Sequence, residues 1–174
     1  LDARFEETEQ DIATHKAENA TDDVHGLSKK VIARGSTSQQ SIPDSTATVL
    51  LFPTASITDD SLITYNSVTG EFTIVDANIR FVRVTCSVHW MPKTTGSRLL
   101  QVRKNGSMWS TLDSAISQLP GSVGGKYDNK EPFQWTTSLM TVALNDSITI
   151  AVHQNSGTAL SLSNRVKVVL EVFY

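Results

Sequence analysis

The stretch Val82-Arg83-Val84-Thr85-Cys86-Ser87-Val88-His89-Trp90 sets apolar side chains on the even positions and polar ones on the odd positions. A period of two belongs to an extended strand with one buried face and one wet face. The same alternation predicts strands through Met140, Val142 and Leu144, through Ile148, Ile150 and Val152, and through Val166, Val168, Leu170 and Val172. Asn145-Asp146 stands at hairpin spacing between the first two of these and predicts a tight turn joining them. Apolar runs at Thr48–Phe52, Leu62–Tyr65, Glu71–Ile74 and Leu99–Arg103 add further short strands, separated by turn signals such as Thr69-Gly70 and Asn105-Gly106.

Many short strands without helical intervals argue for an all-β domain, a β-sandwich of the jelly-roll kind, rather than a parallel α/β sheet. The pattern begins after Pro43, so residues 45–174 are expected to form this head. Residues 1–34 read differently. Leu1, Phe5, Thr8, Ile12, His15 and Asn19 follow at alternating intervals of four and three, the seam of a heptad repeat, with only half of the seam apolar. A helix that polar and that short is marginal alone, so a parallel bundle of copies aligned by the head is expected. Residues 35–44 then read as a linker, with Ile42-Pro43 as the neck between a helical stalk and the head.

With 174 residues the chain can hold one domain with a sizeable core plus an appendage. Its 15 basic and 18 acidic residues leave a net charge of −3, which gives no bulk attraction to nucleic acid or anionic lipid. The imbalance lies in residues 1–34, which hold eight acids and five bases, whereas the rest holds ten of each. No apolar run approaches the roughly 18 residues of a membrane span, and no basic flank with a hydrophobic signal core opens the chain. A start at Leu1 instead of Met points to a piece of a longer polypeptide. A single cysteine, Cys86, rules out an internal disulfide framework, so stability must come from packing or assembly. Cys86 falls on the apolar face of its strand and is expected to be an inert buried thiol.

Catalytic and metal-binding signatures are missing. The histidines His15, His25, His89 and His153 have no ligand spacing, and the last two fall on the polar faces of their strands. Asp22-Asp23 and Asp59-Asp60 are adjacent acids of the kind that cap turns, without a second acid in a defined environment for sugar hydrolysis. Gly121-Ser122-Val123-Gly124-Gly125 is a flexible loop with no Gly-Lys-Ser/Thr to cradle phosphate. A non-enzymatic chain without cofactor or metal is expected.

One stretch does point to binding. Residues 107–133 form a connection longer than the roughly 15 residues beyond which loops are usually functional or disordered. Trp109, Tyr127 and Phe133 supply aromatic surfaces, and Asp113, Lys126, Asp128 and Asn129 supply hydrogen-bonding groups, a combination that suits sugar rings. Alternatively Trp109 or Phe133 plugs the end of the sandwich, and Leu112–Leu119 forms an extra strand.

The order of motifs carries a resemblance. Ala47-Thr48-Val49-Leu50-Leu51-Phe52, Tyr65-Asn66 with Thr69-Gly70-Glu71-Phe72-Thr73-Ile74, Ser87-Val88-His89-Trp90, Arg103-Lys104-Asn105-Gly106 and Leu144-Asn145-Asp146-Ser147-Ile148-Thr149-Ile150 resemble the complement globular-head and tumour-necrosis-factor-like jelly roll. The likeness covers roughly residues 45–174 and departs at Asn78-Ile79-Arg80, where Gly-x-Tyr is usual, and at Asn145-Asp146, where Gly-Asp is usual. Thr14 to Leu27 is similar to linkers of bacteriophage tail-fibre proteins. Together these imply a homotrimeric tail-fibre head on the virion, joined to the rest of the fibre and attaching to a saccharide or protein of the bacterial surface. The trimer interface is then expected at Leu1, Phe5 and Ile12 of the stalk and at Phe81, Phe173 and Tyr174 of the head. A ligand-free trimerisation cap and a polysaccharide-degrading tail protein are the alternatives.

Overall fold

In the central strand the alternation holds residue by residue: Val82, Val84, Cys86 and Val88 are fully buried, and the intervening side chains are half-buried. A computed structural model describes residues 28–91, 93, 95–109, 115–118 and 133–174, the last strand of the connection and the short strand before it being partly described by backbone alone. The elements in chain order are β1 (Lys29–Ser36), β2 (Gln40–Ile42), β3 (Thr48–Val49), β4 (Thr54–Ile57), β5 (Ile63–Asn66), β6 (Glu71–Ile74), β7 (Phe81–Val88) and β8 (Arg98–Lys104). They continue as β9 (Ser107–Met108), β10 (Ala115–Gln118), β11 (Phe133–Thr136), β12 (Met140–Thr141), β13 (Ser147–Gln154), β14 (Leu160–Leu162) and β15 (Val166–Phe173). Among the described residues every regular element is a strand, as the period of two predicts.

The strands form two main sheets. One has the order β11-β7-β15-β1-β4, with β12 also on β7; the other has the order β10-β8-β13-β6-β5, with β9 on β8 and β3 on β13. Between them lies one core that includes Ile32, Leu50, Phe52, Phe72, Ile74, Leu100, Val102, Ile148, Ile150 and Leu170. A two-stranded ribbon, β2 with β14, closes one end through Ile42 and Leu160. All the pairings are antiparallel, which lets each main sheet bury one face and wet the other.

Two turn motifs do what their residues foretell. Asn66 Oδ1 accepts bonds from the amides of Val68 and Thr69 at 2.9 and 3.2 Å, and Gly70 closes the β5–β6 turn at φ 72°. A Cβ on Gly70 would lie 2.6 Å from the Leu50 carbonyl oxygen, so no side chain fits. At Asn105-Gly106 both residues have positive φ, 50° and 79°, as a two-residue β8–β9 hairpin requires.

Three expectations need correction. Residues 29–34 are not helical: they belong to β1, which pairs with β15 over eight residues and with β4 on its other side. The boundary at residue 34 therefore falls inside a central strand, because Ile32, only 2% exposed, is a core residue. Residues 35–44 are not a free linker either, since they complete β1 and contain β2, and Ile42 at the expected neck is fully buried. The helical reading of residues 1–27 lies outside the described residues. Third, Asn145-Asp146 does not join a hairpin. β12 pairs with β7 in one sheet and β13 with β8 in the other, so the turn is a corner between sheets. Asn145 takes φ 66°, its amide bonds the Ile74 carbonyl at 2.9 Å, and the Asp146 carboxylate accepts the Ala143 amide at 2.8 Å. These bonds satisfy the backbone at a point where no strand partner is available.

Candidate interaction surfaces

The long connection leaves the edge of one sheet and returns to the edge of the other: β8 leads into it through β9, and β11 pairs with β7. Within it β10 pairs with β8 from Ala115 to Gln118, which gives the expected extra strand inside Leu112–Leu119. Trp109 is half-buried and packs against the core, its amide bonding the Val102 carbonyl at 3.3 Å. The Lys104 ammonium lies 5.0 Å from its ring centre and also binds Asp146 at 2.7 Å and the Thr141 carbonyl at 3.0 Å. Partial burial pushes the Asp146 carboxyl up, but its bonds from Lys104, Asn105 and the Ala143 amide outweigh this and hold it below the usual carboxylate range. Asp113, Lys126, Tyr127, Asp128 and Asn129 lie outside the described residues, and Phe133 opens β11 opposite Val88 by backbone register.

A second surface is the outward face of the sheet built on β7, β15 and β1. Strand register aligns three rows across it: Phe81 with Phe173 and Lys29, Arg83 with Glu171 and Val31, and Thr85 with Val169 and Ala33. Phe81, Phe173, Val31, Ala33 and Val169 are half-buried in the single chain, and Ile57 of β4, opposite Ala33, is 52% exposed. In the middle of these apolar groups Glu171 accepts a bond from Arg83 Nε and another from Lys29 Nζ at 3.1 Å. Hydrogen bonding from Arg83 first, and then from Lys29, holds its carboxyl below the usual range. The Arg83 guanidinium also lies 5.9 Å from the centre of the Phe173 ring. The face therefore combines a group of apolar side chains with a carboxylate already matched by cations.

Of the residues expected at an interface, Phe81 and Phe173 meet on this face. Tyr174 instead packs toward the core, where burial pushes its phenol above the usual value and its hydroxyl has no partner among the described residues. Leu1, Phe5 and Ile12 lie outside the described residues. Sequence reasoning missed Lys29, Val31, Arg83 and Glu171. The signal was a charged residue, Glu171, at an outward position between Val169 and Phe173 of β15.

Cys86 is fully buried, and burial drives its thiol far above its ordinary value, which leaves it unreactive. No cluster of three or more metal-ligating side chains occurs among the described residues. His89 and His153 are half-buried at the outward positions expected for them.

No protein-family model matches the sequence, and no curated protein matches it significantly. Solved structures do match in fold. The phage PRD1 vertex protein P5 superposes with a TM-score of 0.53 at 15% identity, over 83% of this chain and 94% of that one. Murine APRIL, of the tumour-necrosis-factor family, superposes with a TM-score of 0.51 at 11% identity, over 83% of this chain and 99% of its own. At such identities the likeness is one of fold, a tumour-necrosis-factor-like jelly roll.

Proposed function

We propose that the chain is a non-enzymatic adhesion module of a phage virion, a tail-fibre head that assembles as a homotrimer and attaches to the bacterial surface. The observation that carries the reading is the outward face of β7, β15 and β1. A monomer gains nothing from placing Phe81, Phe173, Val31, Val169 and Ile57 on one solvent-facing sheet, whereas a self-associating module buries them. Pairing of Glu171 with Arg83 and Lys29 lowers the cost of removing that carboxylate from water. The fold shared with a phage vertex protein supports a place on the virion.

On this reading recognition belongs to the 107–133 connection, with Trp109, Asp113, Lys126, Tyr127, Asp128, Asn129 and Phe133 as the candidate contacts, three copies acting together. Trp109 packed against the core favours a second reading, in which the connection closes the sandwich and the trimer serves as a fibre cap without a ligand. Two measurements decide between them. Light scattering of the purified chain is expected to give a trimer, and excess chain is expected to block phage adsorption to host cells. A stable monomer at micromolar concentration removes both readings; a trimer that leaves adsorption unchanged leaves the cap.

A further inference from the structure

At the end of the same face away from Phe81 and Phe173, His89, Trp90, Met91, Ser163 and Arg165 line an open cleft of about 210 Å³. Its frame is backbone. Beyond β7 the chain runs antiparallel to β14 and the residue after it, with Trp90 bridged to Leu162, the Met91 amide on the Ser161 carbonyl at 2.9 Å and the Ser163 amide on the His89 carbonyl at 2.8 Å. Ser163 Oγ accepts the Arg165 amide at 3.3 Å, which bends the loop so that Arg165 stands at the cleft.

Among the described residues the lining holds an imidazole and a guanidinium and no carboxylate, and Lys167 stands next along β15, opposite Ser87. Among the described residues neither the His89 ring nor the Arg165 guanidinium has a bonding partner, whereas Lys29 and Arg83 of this face are tied to Glu171. Trp90, only 8% exposed, has an indole N–H without an acceptor among those residues, and a buried donor left unpaired is costly. Met91 and the indole supply an apolar wall, and Ser163 a hydroxyl, beside the guanidinium and the imidazole.

We infer that this cleft binds a sugar unit carrying an anionic group. Arg165 matches a carboxylate or phosphate with its planar fork, His89 and Ser163 take the remaining oxygens, and Met91 and Trp90 lie along the carbon face of the ring. The volume accommodates about one hexose, below the size of the usual drug-sized pocket. The inference depends neither on trimer formation nor on attachment to cells.

The test is a titration of the isotope-labelled chain with glucose 1-phosphate, glucuronate and glucose, followed by amide chemical shifts. At least one anionic sugar is expected to bind about 10-fold or more tightly than glucose, with shifts centred on residues 89–91 and 163–165. The phosphate and carboxylate arms then name the anion. R165Q and H89Q are each expected to weaken that binding, R165Q by about 10-fold, while the melting temperature stays put because Arg165 is exposed. Equal binding of glucose, shifts confined to other residues, no binding of either anion, or an R165Q variant that binds as well as the wild type overturns the inference. Failure of adsorption blocking has no bearing on these outcomes, so the two proposals fail separately.

Discussion

Glu171 sits where a strand otherwise rich in valine and leucine presents its outward side, and its two cationic partners come from the strands on either side. A carboxyl held below its ordinary value of 4.5 contributes stability that is present above that pH and is lost as pH falls through the lower folded value. Glu171→Gln is therefore expected to lose up to about 1 kcal/mol at neutral pH, with the gap to wild type closing in acid. Denaturant melts at fixed protein concentration across this range check it; a gap independent of pH would show that the pairing contributes nothing. Gly70→Ala should be far worse. Its backbone lies at φ 72° with a carbonyl oxygen where the new methyl must go, so a loss of roughly 2 kcal/mol or more is expected from strain and displacement together. Trp109→Ala is expected to cost about 2 kcal/mol, part of what a fully buried aromatic costs, because the ring packs on the core beneath Lys104. A thermal melt indistinguishable from wild type would return Trp109 to the set of surface contacts.

At the scale of elements the informative strand is β1. It supplies Ile32 to the core, lies between β15 and β4, and carries Lys29 and Val31 on the outward face. Removing residues 1–27 leaves every described pairing in place and is expected to preserve the fold, as judged by circular dichroism and melting temperature. Removing residues 1–34 takes away most of a central strand and should abolish cooperative unfolding. If both truncations melt alike, β1 adds nothing to the sheet, and the boundary read from the heptad pattern is restored. Edge strands are managed differently: β4 is short and exposed throughout, and β9 and β12 have two residues each, which limits the row of unpaired backbone groups open to stray pairing.

For the whole molecule the question is what covers the outward face. Val169 lies in its third row, between Thr85 and Ala33, and its side chain takes no part in the main core. Val169→Glu is expected to leave the circular dichroism of the chain intact while shifting its mass by light scattering from trimer to monomer. Adsorption blocking should fall with it, by roughly 100-fold if three linked sites act together. A V169E chain that remains a trimer would place the association surface elsewhere.

The periodicity around Val82–Trp90, Glu71–Ile74, Ile148–Val152 and Val166–Val172, together with the Asn-Gly turn after Lys104, was enough to determine the all-β character of the described residues and which of these side chains face inward. These are properties of neighbours along the chain, since strand pleat and turn geometry act over two to four residues. Which strands pair is another matter. β12 and β13 look like a hairpin because their spacing is right, yet they lie in different sheets, as Met140 and Ile148 bury into one core from opposite sides. β1 escaped notice because its one core residue, Ile32, lies between Val31 and Ala33, an apolar run with no readable period, and β2 and β14 are too short to have one. Tertiary structure alone set the rows of Phe81, Arg83, Val169 and Glu171 and the cleft between His89 and Arg165. The partners within these rows and across the cleft lie far apart along the chain, Arg83 from Glu171 by 88 positions and His89 from Arg165 by 76, and only burial of a shared core offsets the chain entropy of bringing them together.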